Sequence, residues 1–209
     1  MTSSQAAAIR RIGLIAAVAM AAALAMVACS PDTVPSRSPG PTALASPTLN
    51  VSSPSAGSTS PLAIDKSLLG ILPAAVAGFA VAESPEAESE ALTDPDLATV
   101  GSAVAAGIAV DPPTGEFVYA VVVRLKPGVM TDTVFRDWRD SYDVGACSQA
   151  DGVTGHAESE IDGRTVYIGT CAGGLRTYHV WLADSAIIVS ASAVGERRLG
   201  EQLMNGLRP

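Results

Sequence analysis

His156, Glu158 and Glu160 stand at alternate positions, so on a strand their side chains share one face. An imidazole beside two carboxylates can bind a divalent cation or move protons in acid–base catalysis. The solvated face of a hairpin strand shows the same alternation, and that plainer reading is preferred. A second group lies in Thr177-Tyr178-His179-Val180-Trp181, where Thr177, His179 and Trp181 fall on one face and Tyr178 and Val180 on the other. Trp138, His179 and Trp181 would line a small-ligand pocket, apolar with a few polar handles. The competing reading of His179 is a core histidine packed on aromatics. Glu83, Glu86, Glu88, Glu90, Asp94 and Asp96 make an acidic segment without the glycine hinge and terminal bidentate glutamate of a calcium loop, so a solvated loop is expected. There is no Gly-x-Ser-x-Gly elbow, and Cys171-Ala172-Gly173-Gly174 is a turn with no Gly-Lys-Ser/Thr after it. No catalytic residues, metal ligands or cofactor are assigned.

The elements that must carry these residues can be read from pattern. Asp65 is placed to cap a short helix through Leu68, Leu69, Ile71 and Leu72, ended by Pro73. Phe79 to Ala82 reads as a brief strand, and alanine-rich Leu97 to Ile108 as a helix. Glu116 to Lys126 contains a β-branched and aromatic run that predicts a buried strand. Thr131 or Asp132 caps a helix with Val134, Phe135, Trp138 and Tyr142 on one side and Arg136, Asp137, Arg139 and Asp140 on the other.

Closely spaced strands follow. His156 to Ile161 and Arg164 to Cys171 flank an Asp162-Gly163 turn, and Leu175 to Leu182 and Ala186 to Val194 come next. Turns this short require antiparallel neighbours. Glu196 to Leu207 closes the chain as a helix with Leu199, Leu203 and Leu207 on one stripe. The expected fold is α+β: an antiparallel sheet of four to five strands, helices packed on one face, a C-terminal helix and one disulfide. Cys147 and Cys171 form that disulfide. A metal site would want closer cysteine spacing, and a redox site Cys-x-x-Cys.

The address is written in the first thirty residues. Arg10 and Arg11 precede an uncharged stretch of 17 residues, Ile12 to Ala28, which ends at Met26-Val27-Ala28-Cys29. This ending resembles the lipobox of bacterial lipoproteins, with Met26 in the place usually held by leucine. The resemblance implies cleavage after residue 28 and acylation of Cys29, palmitate included, and it covers residues 1–30 alone. Read instead as an uncleaved anchor helix, the same stretch still leaves the remainder outside the cytoplasm.

Residues 30–62 hold nine Ser, seven Pro, four Thr and two Gly, too little apolar surface to offset the entropy of ordering. The organisation expected is a signal peptide at 1–28, a lipidated Cys29 with a disordered Ser/Pro/Thr-rich tether at 29–62, and a single extracytoplasmic domain at 63–209. Of the chain's 13 basic and 21 acidic residues, that domain carries 10 and 20, a net charge of −10. A nucleic-acid partner is excluded on that balance, because binding to phosphates needs clustered Lys and Arg. The expected product is a lipid-anchored envelope protein that binds a small ligand or another envelope protein. The rival readings are an envelope hydrolase or transferase using His156 or His179, and a sensory or accessory domain for an envelope enzyme.

Overall fold

The computed structural model describes residues 61–209. The signal segment, Cys29 and the tether up to residue 60 lie outside the described residues. The chain enters through β1 (Ala63–Ile64) and a 3-10 helix (Lys66–Ile71), whose first turn is capped by the Asp65 carboxylate accepting from the Ser67 amide at 3.0 Å. A small hairpin, β2 (Ala75–Val76) and β3 (Phe79–Ala80), leads to β4 (Ala82–Glu83).

Two short helices follow, α1 (Pro85–Ala91) and α2 (Pro95–Val100), each started by a proline at its first position. The acidic stretch is therefore largely helical rather than a solvated loop. A proline at a helix N-terminus gives up an amide that would have no partner there, so Pro85 and Pro95 begin helices instead of breaking them. Glu88 is buried, and its carboxylate accepts the Ala106 amide at 3.2 Å.

The long elements come next: β5 (Gly101–Val110), β6 (Phe117–Leu125), α3 (Asp132–Cys147), β7 (Val153–Ile161), β8 (Arg164–Cys171), β9 (Arg176–Leu182), β10 (Ile187–Val194) and α4 (Leu199–Asn205). The main sheet has eight strands, in the order β1-β5-β6-β10-β9-β8-β7 with β4 also on β5, and not the four to five expected. All its pairings are antiparallel except β1 with β5. The three additional strands are β5, which the alanine content assigned to a helix, and the two-residue β1 and β4 that pair with it. β5 instead pairs β6 along its length.

Helices also cover both faces of the sheet, not one. Val122, Val180, Val189 and Ala191 point to the face covered by the 3-10 helix and α4, where Leu68, Leu72, Leu199, Leu203 and Met204 are buried. Val104, Val123 and Ile188 point to the other, under Leu97 of α2 and Phe135 of α3. Central strands with apolar residues on both sides need two covering layers. On the α4 face the helix touches the sheet closely: a Cβ on Gly200 would overlap Cε2 of the Tyr178 ring. Gly200→Ala is expected to cost about 1–3 kcal/mol as an overpacking substitution. Chemical denaturation checks this, and a loss below that range would mean α4 shifts freely on the sheet.

Cys147, at the end of α3, is bonded to Cys171, at the end of β8, with their Cα atoms 5.2 Å apart and both side chains buried. Among the described residues, no helix is long and apolar enough to cross a membrane.

Candidate functional site

Under α3 the sheet face changes from apolar to polar. Alternation on β9 and β10 aims Thr177, His179, Ser190 and Ser192 at the helix, and all four are buried. Burying such groups is costly unless each finds a partner, and α3 supplies the partners. Its Thr131 cap accepts from the Val134 amide at 3.2 Å. Two to three turns on, the helix places Trp138, Tyr142 and Asp143 over the sheet.

Asp143 is the hub. Its Oδ1 accepts from Thr177 Oγ1 and lies 2.8 Å from His179 Nε2, while its Oδ2 lies 3.1 Å from His156 Nε2. Burial pushes the Asp143 carboxyl upward. The hydrogen bonds from His179 and Thr177, with the electrostatic pull of the two imidazoles, outweigh burial and hold it below the ordinary carboxylate range. Gly169 makes room on β8: a Cβ there would sit 2.6 Å from Asp143 Oδ2.

On the far side of the ring, His179 Nδ1 is 3.0 Å from Ser190 Oγ, which accepts from Trp138 Nε1 at 2.9 Å. The indole nitrogen can only donate, so the Ser190 proton is free to go to His179 Nδ1 and the imidazole proton to face Asp143 from Nε2. Trp138, Ser190, His179 and Asp143 thus form one directional chain. Tyr142 joins the same layer with its hydroxyl 3.1 Å from Ser192 Oγ. Burial pushes that phenol up to about 12, with the Asp143 charge adding to the rise and the Ser192 bond opposing it.

The serine–histidine–aspartate order is that of a nucleophilic triad, but the arrangement differs in two respects. The hydroxyl is on Nδ1 and the carboxylate on Nε2, the reverse of the protease arrangement. Ser190 is also 0% exposed beneath Trp138, where no substrate carbonyl can reach it.

Solvent reaches Asp143 through an open cleft of about 220 Å³ between α3, β7 and β8, lined by Arg139, Asp143, His156, Glu158, Tyr167 and His179. The His156 side chain is 56% exposed, so the imidazole covers Asp143 from the wet side. The Arg139 guanidinium lies over the Tyr167 ring, 4.2 Å from its centre, with Nε 3.4 Å from Asp140 Oδ1. Among the described residues, no three His, Cys, Asp or Glu side chains are arranged to hold a metal ion.

The residues singled out from sequence are distributed as follows. Trp138 and His179 meet through Ser190, within the buried layer. Trp181 lies further along β9 and packs on Phe135, with ring centres 6.1 Å apart, outside the cleft. The row His156, Glu158 and Glu160 is exposed as a hairpin face should be, and its first two members line the cleft. Asp143 was missed. The helix buries Phe135, Asp143 and Cys147 on one row at spacings of eight and four, so Cys147 and Phe135 together marked the position between them.

The lowered Asp143 carboxyl sets a direction for acid stability. A group with a folded value below its unfolded value of about 3.9 contributes stability that is complete above that pH and is lost as pH falls toward the folded value. The thermal midpoint of the protein should therefore drop as pH goes from about 5 to 3, and the Asp143→Asn curve should be flatter. Parallel curves would remove Asp143 from this role. No family model, no curated protein and no solved structure matches the chain.

Proposed function

We propose that the chain is a lipid-anchored lipoprotein of the extracytoplasmic side of a membrane, and that its domain binds a small ligand in the cleft between α3, β7 and β8 rather than catalysing a reaction. The observation that carries binding over catalysis is the position of Ser190. The hydroxyl wired to histidine and aspartate is sealed under Trp138, while the cleft presents a guanidinium, an imidazole and the edge of an aromatic ring. A few polar groups on an aromatic wall suit recognition of a small molecule. The anchoring reading rests on Arg10, Arg11, the apolar run to Ala28 and Cys29. The Cys147–Cys171 bond supports export, since such bonds persist in oxidising compartments.

Two experiments test the halves separately. Cells expressing the full chain and fed an alkyne-tagged fatty acid should yield a labelled, membrane-bound protein, and Cys29→Ala should abolish both properties. Retention of label in that variant would overturn the anchor. Native mass spectrometry of the full chain released from detergent should show a retained small molecule, which Arg139→Ala releases. A bare protein in both cases would overturn the small-ligand reading.

One observation favours a second reading. An exposed imidazole backed by a buried carboxylate is a general base in waiting, and His156 on Asp143 has that form. An envelope hydrolase or transferase built on it should lose its turnover of cell-wall or ester substrates in His156→Ala.

A further inference from the structure

The two edges of the main sheet are finished differently. Along the outer side of β5, β1 pairs with Ala103 and Val104, and β4 pairs with Gly107 and Ile108. Between them the Ala106 amide is taken by Glu88 and its carbonyl by the Ser84 amide at 2.9 Å. That edge is closed by backbone and by a carboxylate acting in place of a strand.

The opposite edge is β7, nine residues paired to β8 from Val153 to Ile161. Among the described residues, nothing hydrogen-bonds to its outer side. His156, Ala157, Glu158, Ser159 and Glu160 are all exposed, and the one irregularity in the pairing lies at the far end, between Val153 and Gly155. Natural edges are usually shortened, bulged, or guarded by proline or by charged side chains, lysine above all. From Gly155 to Ile161 β7 is regular, and its guards are Glu158 and Glu160, which turn away an acidic strand but not a basic one.

We propose that the outer edge of β7 is a strand-addition site for an extended segment of a partner protein that carries Lys or Arg at alternate positions. Strand addition gives affinity through main-chain bonds and specificity through every second side chain. Here Glu158 and Glu160 make that row acidic, on a domain with a net charge of −10 from its 10 basic and 20 acidic residues. A second copy of the chain is the poorer occupant. Antiparallel self-pairing over the exposed stretch, centred on Ser159, would set Glu158 of each copy against Glu160 of the other, and like charges on facing strands are unfavourable. The edge shares His156 and Glu158 with the lining of the cleft, but strand addition uses main-chain groups and does not require a bound small molecule.

The test is hydrogen exchange on the full chain in detergent, read at those amides of residues 156–160 that point away from β8. An acetylated seven-residue peptide alternating Lys with Val or Thr should slow exchange there by about tenfold or more. The same peptide with Glu for Lys should not. In the Glu158→Lys/Glu160→Lys variant the preference should reverse, and both substitutions are at exposed positions that leave the core intact. Unchanged exchange at 156–160, even with the Lys peptide bound elsewhere, would overturn the proposal. Slow exchange at those outward amides before any peptide is added would also overturn it, by showing the edge already covered. A dependence on protein concentration would then assign the cover to a second copy, and its absence to residues 1–60 of the same chain.

Discussion

Asp143→Ala should lower the unfolding free energy by roughly 3–5 kcal/mol, the largest loss expected from any single side chain of the polar layer. Removing the carboxylate leaves the Thr177 hydroxyl and His179 Nε2 without their partner in a buried site, and each such orphan costs about 1–3 kcal/mol. His156→Ala removes a neighbour of the same carboxylate but at the solvent side, so it should cost about 1 kcal/mol or less. Urea unfolding of the three proteins measures the contrast. An Asp143→Ala loss no larger than that of His156→Ala would show that water replaces the carboxylate and that the layer is wetter than its burial implies. Asp143→Asn should fall between them, since an amide accepts one of these bonds but turns a donor toward another.

The second large effect belongs to the disulfide. Cys147 and Cys171 are 24 residues apart, and closing a loop of that size removes about 3 kcal/mol of entropy from the unfolded chain. The Cys147→Ala/Cys171→Ala pair should lose about that much by urea unfolding. The consequence for the site is separate from the loss of stability. Cys147 is one turn after Asp143, so the bond pins the end of α3 that carries the hub over the sheet. Without it, amide exchange through residues 143–147 should rise more than exchange in β10. A uniform rise would mean the bond acts on the unfolded chain alone.

The second half of the domain was legible because its signals are local. The Asp162-Gly163 turn, the short connections and the β-branched runs specify β7 to β10, and Thr131 marks the start of α3. The first half was not, because its structure is decided by neighbours distant in sequence. Residues 101–110 have the alanine content of a helix, but they lie between β6 and the edge strands and under helices on both faces, where small side chains are what fits. A Cβ at Gly107 would sit 3.0 Å from Leu72 and from Val81, and neither residue is predictable as a neighbour from the local pattern. A strand buried on both faces also shows no alternation for a periodicity argument to find.

The cleft is a similar case. Glu158 and His156 were visible as a pair on one face, whereas Arg139 was assigned to the solvated side of its helix. Its stacking on Tyr167 depends on how α3 crosses β8.

The strand that joins the sheet is also the last one in the described chain. β10 lies between β6 and β9, pairing one along Ile187–Val194 and the other along Ile187–Ala193. A nascent chain that has emerged only as far as residue 186 therefore holds two half-sheets, β5–β6 and β7–β8–β9, with no contact strand between them. Closure waits for β10, and until then two long strand edges rich in valine and aromatic residues stand bare. Synthesis from the N-terminus makes that interval unavoidable for every copy. The topology thus asks that residues 187–194 follow promptly or that the halves be shielded until they do.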